Sequence, residues 1–118
     1  SYTLYKSVLE FPHRQGTAVQ FYEKGRLQSY TWPEYYEQVK KVASSLHSLG
    51  VKRHGKVAIK SATGLKWGLL DLAIQSLGAV TVPIYPNATP AELEHILKDS
   101  EASFLFLQHQ SQEAMLKK

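Results

Sequence analysis

Few side chains in this sequence stand at a spacing that does chemistry. The nearest approach is Gly50-Val51-Lys52-Arg53-His54-Gly55-Lys56-Val57. The spacing G-x-x-x-x-G-K lets a glycine-rich loop wrap a phosphate while a lysine reaches its outer oxygens. Val57, however, stands where that motif needs a Ser or Thr hydroxyl for magnesium. The order of elements is also reversed. A phosphate loop runs from a strand into a helix, so that unpaired N–H groups meet the anion. Here Gly50 closes an apolar stripe of helical period and Lys56 opens a β-type run. The segment reads as a helix stop followed by a loop glycine.

The five histidines, His13, His47, His54, His95 and His109, show no metal-ligand spacing. Glu92-x-x-His95 is half of a carboxylate-bridged metal motif with no second copy, and it reads as surface helix. No G-x-S-x-G or H-E-x-x-H is present, and no G-x-G-x-x-G follows a strand. Gly64-x-x-x-Gly68 is a helix start followed by a small packing residue. The chain has no cysteine, which excludes disulfides, thiolate catalysis and cysteine-ligated metals. No set of residues brings a nucleophile, a base and an oxyanion donor together. Neither a catalytic nor a metal-binding residue is assigned.

The elements that would position any such groups are better defined. The 118 residues, 43% hydrophobic and 20% charged, suit one modest domain or a piece of a larger one. The net charge is +4, spread along the chain apart from Lys40-Lys41 and the run Lys52, Arg53, His54, Lys56. Such charge reads as solvated helix ends and loops, not as a nucleic-acid interface. The apolar stretch 67–85 is broken by Asp71, Gln75, Gly78 and Pro83, so no integral membrane segment is expected. The N-terminus lacks a signal-peptide core, and the expected location is the cytoplasm, with peripheral membrane contact allowed.

Residues 4–11 read as a short helix ending at Pro12, and 17–22 and 27–32 as a hairpin turning at Glu23-Lys24-Gly25. Thr31-Trp32-Pro33-Glu34 has the form of a capping box with proline in the first turn. Tyr35, Val39, Val42, Ala43, Leu46 and Leu49 continue as one helical stripe, closed by Gly50. A strand is expected over 56–62, with Val57 and Ile59 inward, and a helix over 65–77 stopped by Gly78. The nearly continuous apolar run 79–85 reads as a strand buried on both faces. Thr89-Pro90-Ala91-Glu92 is a second capping box, opening a helix with Leu93, Ile96 and Leu97 inward. A strand over 103–108 and a further helix over 112–118 complete the pattern. Alternation of this kind specifies an α/β fold with a parallel, flavodoxin-like sheet, preceded by a helix and hairpin. The chain is thus one segment, 1–32 helix plus hairpin and 33–118 alternating α/β. Its last helix stops where a further βα unit is expected, which reads as truncation within a larger domain.

The wording of these segments goes further. Tyr30-Thr31-Trp32-Pro33-Glu34-Tyr35 resembles the T-Y/W-x-E entry to the first long helix of the adenylate-forming enzymes: acyl-CoA synthetases, luciferases and peptide-synthetase adenylation domains. Val42-Ala43-Ser44-Ser45-Leu46 through Leu49-Gly50-Val51, then Lys56-Val57-Ala58-Ile59, is similar to that family's continuation. The run Leu77-Gly78-Ala79-Val80-Thr81-Val82-Pro83-Ile84-Tyr85-Pro86 resembles its L-G-A-V-x-V-P-I/L signature. Thr89-Pro90-Ala91-Glu92-Leu93 and Leu97-Lys98-Asp99-Ser100-Glu101-Ala102 fit the long-chain fatty acid–CoA ligase branch. One departure is His54-Gly55, where the family commonly has Gly-Asp.

The resemblance implies a parent enzyme that converts fatty acid, ATP and CoA, with magnesium, to acyl-CoA, AMP and pyrophosphate. The family's catalytic motifs lie further along its chain, so the resemblance implies that this segment alone is inactive and binds no cofactor by itself. It also implies a ligand contact for Tyr85 and Asn87, because the equivalent turn in acetyl-CoA synthetases lies beside the nucleotide end of CoA. Self-association through exposed core surface is expected of an isolated piece. Two other readings stay open: a stand-alone α/β binding or interaction module, and a flavodoxin-like nucleotide-binding unit.

Overall fold

The computed structural model describes residues 10–62 and 64–107, together with the backbone of 108 and 113–117. Glu10 leads into a single 3-10 turn, Phe11–His13, with Pro12 in its first turn. The rest of the expected helix over 4–11 lies outside the described residues. Strands β1 (Thr17–Glu23) and β2 (Arg26–Thr31) pair antiparallel. Their two-residue turn puts Lys24 (φ 52°) and Gly25 (φ 76°) both in the left-handed region, as a tight turn between right-twisted strands requires.

Helix α1 (Trp32–Leu49) begins at Thr31 with both arms of the capping box formed. Thr31 N–H donates to Glu34 Oε1 (2.8 Å), and Glu34 N–H donates to Thr31 Oγ1 (3.3 Å). It ends in a Schellman motif: Gly50 (φ 105°) donates to His47 O and Val51 donates to Leu46 O, both at 3.0 Å. After β3 (Lys56–Lys60), helix α2 (Leu65–Ser76) closes in the same way around Gly78, with Ala79 N–H reaching Ile74 O. Strand β4 (Val80–Ile84), helix α3 (Pro90–Ser100), β5 (Phe104–Gln108) and β6 (Glu113–Lys117) follow.

The main sheet has the order β4-β3-β5-β6. Strand β3 pairs parallel with both β4 and β5, giving the 2-1-3 order of flavodoxin-like sheets. Side chains alternate across it. Val57, Ile59 and Phe104 pack under α1 and α2, against Val39, Ala43, Leu46, Leu69, Ala73 and Ile74. Ala58, Ile84 and Leu105 face the other way, against Leu97 of α3 and Ala102. Helices therefore cover both faces, and the two capping boxes, the glycine stops and the α/β class all stand as read from the sequence.

Two expectations are corrected. The run 79–85 is not a strand buried on both faces: β4 is the sheet edge, and Val80 is 48% exposed. Pro83, which has no N–H to give a further neighbour, sits where an edge strand tolerates it. The helix expected over 112–118 is not found where that segment is described. Residues 113–117 form β6, antiparallel to β5, with Phe104 opposite Lys117 and Gln108 opposite Glu113. Glu-Ala-Met-Leu-Lys has good helix propensity, but the open backbone of β5 offers ladder hydrogen bonds that outweigh a few tenths of a kcal/mol per residue.

Candidate functional site

In an open α/β sheet, ligands collect beyond the carboxyl ends of the strands, where consecutive loops leave toward opposite faces. Here the β3–α2 loop leaves toward the α1/α2 face and the β4–α3 loop toward the α3 face. The expected site residues Tyr85 and Asn87 both belong to the second loop, in the β-turn Tyr85-Pro86-Asn87-Ala88. Ala88 N–H closes that turn onto Tyr85 O at 3.0 Å. Asn87 is not among the positive-φ residues, so the turn is of type I with proline at its second position. Tyr85 stands 82% exposed, and Asn87 is exposed beside it.

A third residue, not singled out from the sequence, joins them. Lys60 ends β3 opposite Ile84 of β4, and its Nζ donates to Pro86 O at 2.9 Å. Among the described residues, that single neutral carbonyl leaves the ammonium's charge uncompensated and two of its N–H donors available. The sequence signal was weak: Lys60 falls inside the strand expected over 56–62, and only the β3–β4 register brings it to the turn.

The N-terminus of α3, by contrast, is already supplied with a negative charge. Glu92 Oε1 accepts from Thr89 N–H at 2.8 Å, and Thr89 Oγ1 accepts from Glu92 N–H at 3.1 Å. The hydrogen bonds from Thr89, backbone first and side chain second, hold the Glu92 carboxyl below its usual value. An incoming anion at this edge would meet a carboxylate at the helix end and an ammonium at Lys60. Glu92 is therefore a cap, and His95 is exposed on the same helix. Among the described residues, no three His, Asp or Glu side chains gather as a metal site.

Next to the turn, the loop after β3 borders a groove of about 640 Å³ between the hairpin and the start of α2. Phe21, Tyr22, Leu65 and Trp67 line it with Lys66 and Glu23. Turn and groove together thus offer the ammonium groups of Lys60 and Lys66, the Asn87 amide, the exposed phenols of Tyr22 and Tyr85, and aromatic lining. That set can hold an anionic or planar ligand, and among the described residues it contains no nucleophile–base pair. The Gly50–Lys56 run lies at the opposite end of the sheet, between α1 and β3, as its helix-to-strand order required.

The chain belongs to the AMP-binding enzyme family, which it matches over residues 8–118. It is 42% identical over 86 residues to the long-chain-fatty-acid–CoA ligase FadD15 of Mycobacterium bovis (strain ATCC BAA-935 / AF2122/97), which covers 73% of this chain and 14% of the relative. It is 37% identical over 75 residues to the uncharacterized protein Rv1549 of Mycobacterium tuberculosis (strain ATCC 25618 / H37Rv), covering 64% of this chain and 42% of that protein. Among solved structures it resembles the N-terminal subdomain of Klebsiella oxytoca NpsA in complex with anthranilyl-AMSN (TM-score 0.77, 23% identity, 91% of this chain and 28% of that one). That likeness shows the fold. The chain spans about a seventh of the length of the ligase it matches. Among the described residues, no helix is long and apolar enough to cross a membrane.

Proposed function

We propose that this chain forms the N-terminal α/β segment of a long-chain fatty acid–CoA ligase. The parent reaction joins a fatty acid to CoA while ATP, held with magnesium, becomes AMP and pyrophosphate. The observation that carries the reading is the 42% identity over 86 residues to a long-chain-fatty-acid–CoA ligase. The segment's part is structural: it supplies an edge of the sheet, with the adenylation chemistry carried by the rest of the parent. At the carboxyl edge, Tyr85, Asn87 and Lys60 contact the nucleotide end of CoA, Lys60 through its uncompensated charge and Tyr85 through its exposed ring. The parent works in the cytoplasm or at a membrane surface, and the segment alone associates through core surface that the parent covers.

ATP–pyrophosphate exchange tests this directly. The 118-residue chain should show none, and the full reading frame should show fatty-acid-dependent exchange; exchange by the chain alone would refute the proposal. In the full-length enzyme, Lys60→Met and Asn87→Ala should raise KM for CoA and leave the exchange reaction unchanged.

A second reading has one observation in its favour. The match to Rv1549 takes up 42% of that protein, against 14% of the ligase, so the segment also occurs in a much shorter relative. In that reading the chain is an α/β interaction module that kept the fold without catalysis. A stop codon directly after Lys118 would favour it, and an open frame running into a Ser/Thr/Gly-rich loop would exclude it.

A further inference from the structure

The amino edge of the sheet carries a feature that the ligase reading does not use. Between Glu37 and Asp71 the sequence has seven Lys or Arg residues and no Asp or Glu. Three of them, Lys52, Arg53 and Lys56, line with His54 and Phe104 a cleft of about 340 Å³ between the end of α1 and the start of β3. Among the described residues, none of the three has a carboxylate within 4 Å.

The loop that holds them is tightly fixed. His54 adopts a left-handed conformation (φ 68°), costly for a residue with a Cβ. Its N–H donates to Gly78 O at 2.8 Å, and Gly55 N–H donates to Lys52 O at 2.9 Å. Val80 N–H donates to Gly55 O at 2.8 Å, which ties the loop to β4. A Cβ on Gly55 would lie 2.9 Å from Lys52 O, so glycine is needed there. A non-glycine residue held in a strained conformation is a reason to look for function. Fixing the backbone beneath three cations also lowers the ordering cost of binding an anion.

We propose that this cleft binds a compact polyphosphate anion, an inorganic or nucleotide-borne diphosphate. Three uncompensated cations match a multiply charged ligand better than a single carboxylate, and the Arg53 guanidinium presents the fork that pairs with phosphate oxygens. A cleft favours a compact ligand over a lipid surface. Among the described residues, the large exposed apolar side chain at this edge is Val80, whereas Tyr22 and Leu27 project from the hairpin and Tyr85 from the carboxyl edge. A single-stranded nucleic acid would need exposed aromatic platforms, and those lie away from the cleft. The proposal does not depend on the ligase reading, because the residues are this chain's own and lie at the opposite end of the sheet from Lys60.

The test is an amide NMR titration of the 118-residue chain with sodium pyrophosphate at low salt. Shifts should concentrate at residues 50–57 and 103–104. Raising ionic strength from about 20 to about 200 mM should weaken binding several-fold, as for partly exposed charges. The exposed pair Lys52→Gln/Arg53→Gln should weaken it at least about tenfold, consistent with lost charge-assisted hydrogen bonds. Lys40→Gln/Lys41→Gln, which removes the same charge from α1, should leave it unchanged, with circular dichroism confirming folding of both variants. Equal loss in the two double variants, or no localised shift, overturns the proposal. Sedimentation with phosphatidylcholine–phosphatidylglycerol vesicles, without a response to pyrophosphate, overturns it in favour of a membrane surface.

Discussion

Replacing His54 by glycine should stabilise the protein. His54 pays the left-handed penalty at φ 68°, about 1–2 kcal/mol for a residue with a Cβ. Glycine removes that penalty but brings back roughly 0.5–1 kcal/mol of unfolded-state entropy. The net gain is about 1 kcal/mol. With about 2.1 cal/mol/K of unfolding entropy per residue over a chain of this length, that is a rise in Tm of about 4 °C. The neighbouring change should go the other way. In Gly55→Ala the new Cβ would press on Lys52 O at 2.9 Å, the same oxygen that accepts the Gly55 N–H, at a cost of about 1–3 kcal/mol. The double variant His54→Gly/Gly55→Asp restores the order common in the family. It should lose less than Gly55→Ala, because glycine at 54 lets the turn shift. Thermal unfolding followed by circular dichroism measures all three. A lower Tm for His54→Gly, or an unchanged Tm for Gly55→Ala, would refute the strained-loop argument.

Ile74 is fully buried beneath the sheet, and Ile74→Ala should cost about 2–5 kcal/mol in urea unfolding. Thr81 Oγ1 is buried on β4 without a hydrogen-bond partner, so Thr81→Val keeps the shape, drops an unpaired hydroxyl and should gain about 1 kcal/mol in the same assay. Thr89→Ala removes the side-chain cap of α3 and should cost about 1 kcal/mol. The Glu92 carboxyl is held low in the folded state, so its contribution is present above the unfolded value of about 4.3 and is lost as pH falls through the lower folded value. Glu92→Gln should therefore flatten the stability profile below about pH 4.3 relative to the wild type; an unchanged slope would show that the carboxylate is not engaged by Thr89.

Local chemistry made much of this protein legible. Both capping boxes and both glycine stops depend on residues within five positions of one another, and each formed where its residues stood. The stripe Tyr35, Val39, Ala43, Leu46 follows the helical period, which is a property of the chain alone, and all four residues are buried. The reversed order at Gly50–Lys56 was likewise enough to set aside a phosphate loop of the usual topology.

Other features depended on partners distant in sequence. An apolar run such as Val80–Ile84 reads as buried on both faces, but a strand's exposure is set by which strands flank it, and only the β4-β3-β5-β6 order made this one an edge. Glu113–Lys117 has a helix former's composition; the open side of β5 made it a strand. Lys60 gave no signal as a site residue until the parallel register carried it to Pro86, 26 positions away. Likewise Lys52, Arg53 and Lys56 were a short charge run until the backbone bonds to Gly78 and Val80 turned them around one cleft. Sequence by itself determined what is settled within a turn or two of backbone: caps, stops, periodicity and family. Strand neighbours, exposure and the meeting of charges were decided by tertiary structure, because those energies exist only once distant segments are in contact.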